Sequence, residues 1–258
     1  MRNLKNYLRQ FPKIYMILSR LKKKIRSCIG ADEFNWKKYH HHYQEELNEI
    51  KKDHTQVLLL GDYAFSDGVL SLQRNVLPLH PNHRLLYETI LHLNPRSVLE
   101  VGCGGGDHLF NLSVLAPKMD LFGRDLSAQQ LSFLRERHPE LKADIGQLDI
   151  TLPYSSRWPV VDLSFTQAVI MHIHEGNGYC EALSNLFKTT TRYVVLMENW
   201  KRHNYLDSIR QIYDKKMIPW SNIFFSYRIS PELNKPHLMV VSSVKLVFEP
   251  LTRYDILL

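Results

Sequence analysis

Cysteine is scarce in this sequence of 258 residues, and long apolar runs are absent. The three cysteines, Cys28, Cys103 and Cys180, lie far apart and form no C-x-x-C pair, so they indicate neither a disulfide framework nor a thiolate metal site. No apolar stretch approaches the roughly 20 residues that a membrane-spanning helix needs, and no signal peptide is recognisable. These absences favour a reducing, cytoplasmic setting.

Acidic residues are missing from residues 1–31, a segment with nine Lys or Arg. The rest of the chain has 24 basic and 26 acidic residues, so the net charge of +7 belongs to this N-terminal arm. The balanced charge of the body argues against a nucleic-acid partner. Apolar residues recur in the arm at helical spacing and predict a basic amphipathic helix. Such a helix packs on a protein surface, or makes a peripheral contact with the inner face of a membrane.

Strand-like and helix-like segments alternate beyond residue 82. Short apolar runs, such as Ser97 to Val101 and Val161 to Phe165, alternate with amphipathic segments as far as Trp200. Two consecutive β-like runs, Ile223 to Ile229 and Leu238 to Phe248, then predict a hairpin at the sheet edge. We therefore predict an α/β fold with a mainly parallel seven-stranded sheet, helices on both faces and an antiparallel C-terminal hairpin. Residues 32–82 are predicted to be a helical and irregular lead-in.

A glycine-rich loop follows the first strand of this alternation, and it consists of Gly102, Cys103, Gly104, Gly105 and Gly106. Glycines let the backbone approach a ligand closely, and the amide end of the following helix favours a phosphate or a carboxylate. The dinucleotide fingerprint requires glycine at the sixth position counted from Gly102, where this sequence has Asp107. The spacing therefore argues against a nicotinamide or flavin cofactor.

The segment from Ser97 to Trp200 resembles the class I S-adenosylmethionine-dependent methyltransferases, which have a Rossmann-like sheet. Their first motif, an acid followed by G-x-G-x-G, is matched by Glu100, Gly102, Gly104 and Gly106, with Cys103 inside the loop. The resemblance implies that residues 83–258 form a methyltransferase domain and that S-adenosylmethionine is the cofactor.

The same resemblance assigns Asp125 and Leu126, at the end of the next strand, to the ribose of the cofactor. The two oxygens of a carboxylate can accept from both ribose hydroxyls. A helix cap is the alternative role for Asp125, although Ser127 can provide that cap.

Two further positions are assigned to the cofactor by resemblance. Asp149, with apolar neighbours Leu148 and Ile150, matches the segment in which an acid binds the adenine amino group and an apolar side chain covers the ring. Asp144 is the competing candidate. Gln167, at the end of the fourth strand of the alternation, is expected beside the cofactor.

Candidate catalytic residues follow the fourth and fifth strands. His172 and His174 lie in the loop that faces the methyl group in this family, and histidine is largely neutral at cytoplasmic pH and able to accept a hydroxyl proton. Glu198 follows the fifth strand, where it is expected to orient a histidine, hold a metal ion together with a histidine, bind a sugar hydroxyl or form a salt bridge. No spacing demands a metal ion.

These residues favour a hydroxyl as the methyl acceptor. The arm and residues 82–110 also resemble methyltransferases of polysaccharide biosynthesis, so we expect O-methylation of a sugar hydroxyl in a glycan or a small molecule. One alternative is an RNA methyltransferase that uses the arm as a phosphate anchor. A second is a catalytically silent subunit that binds the cofactor, and an NAD-dependent sugar enzyme is the least favoured.

Overall fold

The structure is a computed structural model that describes residues 36–258 with the exception of 175, 177, 231 and 233. The predicted amphipathic arm, residues 1–31, lies outside the described residues. Within the described part of the chain, no helix is long and apolar enough to cross a membrane.

Ten strands and six α-helices alternate along the described chain. The strands are β1 (Tyr63–Ser66), β2 (Val69–Leu72), β3 (Ser97–Val101), β4 (Asp120–Asp125), β5 (Asp144–Gln147), β6 (Val161–Gln167), β7 (Thr190–Met197), β8 (Phe224–Ser230), β9 (Lys235–Ser242) and β10 (Glu249–Pro250). The helices are α1 (Trp36–Ile50), α2 (Pro81–Leu93), α3 (Asp107–Leu115), α4 (Ala128–Arg137), α5 (Tyr179–Lys188) and α6 (Tyr205–Asp214). Short 3-10 helices lie at Ile170–His172 and Tyr254–Leu257.

Eight of these strands form one sheet in the order β10-β8-β9-β7-β6-β3-β4-β5. Five adjacent strands, β7, β6, β3, β4 and β5, are parallel to one another. The other three, β9, β8 and β10, pair antiparallel with their neighbours. The predicted α/β fold and its C-terminal hairpin are confirmed, and β10 is a two-residue addition to the seven predicted strands.

The strand order reverses between β3 and β6, because the chain first moves outward through β4 and β5 and then returns to pair β6 with β3. Such a switch point opens a crevice at the carboxyl ends of the strands, where open α/β sheets bind their ligands. The glycine loop follows β3 and Gln167 ends β6, so both lie at this crevice.

Helices cover both faces of the sheet, and each face has its own apolar core. Leucines of α2, α3 and α4 pack with β-strand residues on one face. Apolar residues of α5 and α6 pack on the other face. Both cores consist of fully buried side chains, and burial of this kind stabilises a Leu or Val by about 1.5–3 kcal/mol.

A β-hairpin occupies part of the interval predicted to be irregular. Strands β1 and β2 pair antiparallel, with Ser66 opposite Val69. Asp67 and Gly68 form the turn, and both have positive φ, 52° and 81°. Two left-handed residues of the Asp-Gly type match the right-handed twist of a two-residue hairpin, which explains why this segment turns back on itself as two strands.

We expect Leu163→Ala to lower the free energy of unfolding by about 2–5 kcal/mol, because Leu163 in the central strand β6 is completely buried. Leu60→Ala is the matched control, since Leu60 is 77% exposed and should change stability by less than about 0.5 kcal/mol. Urea unfolding of both variants measures the difference, and equal effects would contradict the described core.

Candidate active site

Three of the four glycines in the loop, Gly102, Gly105 and Gly106, pack against protein side chains, and Gly104 faces open space. A Cβ on Gly102 would lie 2.3 Å from Cγ2 of Val169, and one on Gly106 would lie 2.5 Å from Cγ of Leu134. Both residues also have φ near +80°, a conformation that favours glycine. A Cβ on Gly104 would meet nothing within 4 Å. The backbone at Gly104 is therefore open to a ligand.

Asp125 ties the end of β4 to this loop. Its Oδ2 accepts from the amide of Gly104 at 2.9 Å, and its Oδ1 accepts from the amide of Ser127 at 2.8 Å. Burial raises the pKa of Asp125, and these two hydrogen bonds oppose the rise. Each carboxylate oxygen retains a lone pair for a further donor. Ser127 caps α4 through its own hydroxyl, so Asp125 is not needed for that role.

Glu100 lies beneath the loop in β3 and is only 3% exposed. Burial raises the pKa of its carboxyl group well above the usual range, with a further contribution from the charges of Asp125 and Asp107. Its Oε2 has no hydrogen-bond partner among the described residues. A buried acceptor of this kind fits a cationic donor, such as the ammonium group of an amino acid.

Two side chains of this region turn away from the crevice. Sγ of Cys103 lies 3.1 Å from the position of a Cβ on Gly123, so Cys103 packs inward and only its backbone belongs to the loop surface. Asp107 accepts from Nε of Arg137 at 2.7 Å and contacts Nε2 of His138 at 2.8 Å. Asp107, at the position where the dinucleotide fingerprint has its third glycine, thus joins α3 to the end of α4.

Asp149 follows the carboxyl end of β5 and therefore lies at the edge of the crevice. Its Oδ1 accepts from both the amide and the hydroxyl of Thr151, at 2.9 and 2.6 Å, which forms a local turn. Asp144 instead begins β5 at the opposite edge and pairs with Arg124 at 3.2 Å. The geometry therefore favours Asp149 over Asp144 as a cofactor residue.

The predicted apolar cover needs one correction. Ile150 is 6% exposed and packs in the core with α5, so its side chain does not reach a ligand. Leu126 is 48% exposed, and Leu148 is only partly buried. The two segments are adjacent, because the amide of Leu148 donates to the carbonyl of Asp125 at 3.0 Å. Leu126 and Leu148 are thus apolar side chains available beside the carboxylate of Asp125.

Gln167 contacts a buried polar chain on the side of α2 and α3. Its side chain lies close to the imidazole of His108, whose pKa is lowered by burial to about 4 although Gln167 opposes this shift. Nδ1 of His108 lies 2.8 Å from the hydroxyl of Tyr87, and Nδ2 of Asn111 donates to that hydroxyl at 3.0 Å. Asn111 also accepts from the backbone amide of Leu58 at 2.8 Å. These hydrogen bonds connect His108, beside Gln167, to the lead-in segment.

His172 and His174 lie on the loop after β6, as predicted. Both are partly buried, and the pKa of His172 is lowered by burial and by the nearby charges of Arg202 and His174. The loop begins at Ala168, whose φ of 55° is unusual for a residue other than glycine. His172 is therefore held neutral on a tightly constrained turn.

Glu198 has a different role from those predicted. It is 5% exposed, and its carboxylate accepts from the hydroxyl of Thr166 at 2.7 Å and from the amides of Val169 and Met171 at 3.1 and 3.0 Å. Among the described residues, Glu198 has neither a histidine nor a cationic side chain as a partner, so the predicted orientation of a histidine and the predicted salt bridge are wrong. Because Val169 packs on Gly102, Glu198 positions both the loop after β6 and the glycine loop.

The structure brings together four histidines that the sequence pattern did not predict to be a cluster. His54, His80, His83 and His108 form a continuous series in which successive ring centroids are 4.8, 5.5 and 4.6 Å apart. We call these four residues the histidine cluster. Burial lowers the pKa of His80, and it lowers that of His83 to well below the usual range. The available signal was the position of His80, His83 and His108 at the starts of two helices that face the crevice.

Comparison with known proteins supports a methyltransferase domain in this chain. Residues 99–195 match the family described as Methyltransferase domain. A TehB-like SAM-dependent methyltransferase from Corynebacterium glutamicum has the same fold, with a TM-score of 0.53 and 16% identity over 83% of this chain and 98% of that chain. CalS10, an amino pentose methyltransferase from Micromonospora echinaspora, has a TM-score of 0.50 and 12% identity over 64% and 91%. Among curated proteins, none matches the chain in sequence.

The strand order, the glycine loop and the family match together define a class I methyltransferase domain in this chain. The cofactor of this class is S-adenosylmethionine. The open backbone at Gly104, the carboxylate of Asp125 and the unpartnered oxygen of Glu100 all fit it.

We expect Asp125→Ala to weaken S-adenosylmethionine binding by about 100-fold or more, because two charge-assisted hydrogen bonds are lost. Asp144→Ala is the matched control, since Asp144 lies at the other edge of the sheet. Calorimetric titration of both variants compares their affinities. Equal affinities would remove Asp125 from the cofactor site.

We expect Glu198→Gln to lower the free energy of unfolding by about 1–3 kcal/mol, because its amide group would face backbone donors that now point at a carboxylate. Turnover and the melting temperature should therefore fall together. A variant with reduced turnover and an unchanged melting temperature would instead indicate direct contact between Glu198 and the substrate.

Proposed function

We propose that this methyltransferase transfers a methyl group to a sugar hydroxyl in glycan biosynthesis. The observation that carries the proposal is the histidine cluster beside the switch point, in which burial lowers the pKa of His80, His83 and His108. A hydroxyl acceptor must lose a proton, and a neutral imidazole can accept it.

The residues that would hold the cofactor are distributed along the crevice. Asp125 would accept from the ribose hydroxyls, Asp149 from the adenine amino group, and Glu100 from the ammonium group. Gly104 would let the backbone lie against the ligand. When bound, S-adenosylmethionine supplies an electrophilic methyl group on a sulfonium. The protein then contributes alignment of the acceptor and removal of its proton.

Two further considerations support a sugar acceptor. CalS10, which shares this fold, is described as an amino pentose methyltransferase, so the architecture is compatible with a sugar substrate. The basic arm of residues 1–31 would hold the enzyme near anionic or lipid-linked glycans at the inner face of a membrane. An amino sugar offers an amino nitrogen as well as hydroxyl oxygens, so the test includes both amino sugars and neutral sugars and locates the methyl group.

The test is methyl transfer from radiolabelled S-adenosylmethionine to a panel of p-nitrophenyl glycosides of glucose, galactose, mannose and rhamnose. We expect the full chain to methylate at least one of them, with the product located on oxygen by mass spectrometry. The 2-amino-2-deoxy counterparts form the control panel. Transfer only to the amino sugars, or to RNA alone, would overturn the proposal.

A further inference from the structure

The histidine cluster lies at the edge of the sheet where the acceptor must enter. Helices α2 and α3 both begin at the carboxyl edge, because each of them leads back toward the start of the next parallel strand. His80 and His83 lie at the beginning of α2, and His108 lies at the beginning of α3. His108 also contacts Gln167 at the end of β6. The cluster is thus continuous with the cofactor crevice.

The hydrogen bonds of His108 determine which of its nitrogens has the proton. Asn111 must accept from the amide of Leu58 through Oδ1, so its Nδ2 donates to the hydroxyl of Tyr87. The buried Tyr87 proton then has His108 Nδ1 as its acceptor. His108 therefore has its proton on Nε2, and its Nδ1 is occupied. It is therefore not available as a base.

His80 is excluded by a similar contact. Its Nδ1 accepts from the backbone amide of Asn82 at 3.1 Å, which caps α2. A neutral His80 therefore has its proton on Nε2, and neither nitrogen can receive another without loss of this cap. His54 contacts the cluster only through His80, at the end distant from Gln167.

Two members of the cluster, His54 and His83, have a buried Nδ1 without a hydrogen-bond partner among the described residues, and His83 is the one that adjoins His108. Its ring is 4.6 Å from that of His108, and its buried Nδ1 has no hydrogen-bond partner among the described residues. A buried polar nitrogen without a partner is costly, which indicates a site that is completed by a ligand. The charges of His108, His80 and His54 oppose protonation of His83, whereas that of Asp107 favours it.

We propose that His83, on α2, is the general base of the reaction and hydrogen-bonds the acceptor hydroxyl through Nδ1. The acceptor oxygen forms a bond to the methyl carbon, the carbon–sulfur bond breaks with its electron pair on sulfur, and the hydroxyl proton passes to Nδ1 of His83. His172 then belongs to the opposite wall of the crevice, on the turn that Glu198 holds. This inference rests on the proposed function, because a hydroxyl acceptor must lose its proton as its oxygen bonds to the methyl carbon.

The experiment compares His83→Ala, His83→Asn and His92→Ala in the full chain. Asparagine keeps a polar atom close to the place of Nδ1 but cannot take a proton, and His92 is an exposed histidine of the same helix. The substrate is the p-nitrophenyl glycoside that the wild type methylates. With it, both His83 variants should lose about 10²–10⁴-fold in turnover. Their S-adenosylmethionine affinity should stay within about twofold. Added imidazole should restore turnover to His83→Ala, and His92→Ala should match the wild type.

A readout that needs no turnover accompanies these rates. The ring-proton resonances of His83 and His172 are recorded in the wild type with and without S-adenosylmethionine and the glycoside. We expect the glycoside to shift the resonance of His83 and to leave that of His172 in place. Normal turnover in His83→Asn, or a glycoside-induced shift confined to His172, would overturn the assignment of His83.

The two proposals fail in different ways. If the wild type methylates none of the glycosides, the sugar acceptor is wrong, whatever the histidine variants do. If the wild type is active and His83→Asn is equally active, the sugar acceptor stands and His83 is not the base. Loss of activity without rescue by imidazole, together with a lowered melting temperature in both His83 variants, would show a purely structural role.

Discussion

The hydrogen bond between the amide of Gly104 and the carboxylate of Asp125 is the contact on which the site depends. It joins the loop after β3 to the end of β4. The backbone of Gly104 and the carboxylate of Asp125 therefore fix one another's position. The tight packing of Gly102 on Val169 and of Gly106 on Leu134 leaves this loop little freedom. The loop conformation is therefore set before any ligand binds, and binding has less conformational entropy to overcome.

Two buried polar arrangements support the walls of the crevice. On one side, the carboxylate of Glu198 collects the hydroxyl and amide donors of the turn after β6. On the other side, Asn111 and Tyr87 connect the lead-in segment to His108 and Gln167. Each arrangement satisfies polar groups that burial would otherwise make costly. The lead-in segment is consequently part of the site as well as a cover for the domain.

Candidate site residues could be predicted from the sequence, but the contacts that some of them make could not. Glu198 was recognised as a candidate from its place at the end of a strand, yet both oxygens of its carboxylate accept hydrogen bonds from the backbone of the loop after β6. Ile150 matched an apolar pattern and proved to be a core residue. The Asp67-Gly68 turn was visible in the sequence, but the strands beside it are short and largely exposed, so their hydrophobic pattern was weak.

The sequence by itself determined the α/β class, the strand that leads into the glycine loop and the acids at the ends of β3 and β4. These features are local, because glycine spacing and apolar periodicity act within a few residues of the backbone they shape. Only the tertiary structure brought His54, His80, His83 and His108 together, since they come from three separate segments of the chain. It also decided which imidazole nitrogens are occupied, because that depends on hydrogen bonds between residues distant in sequence.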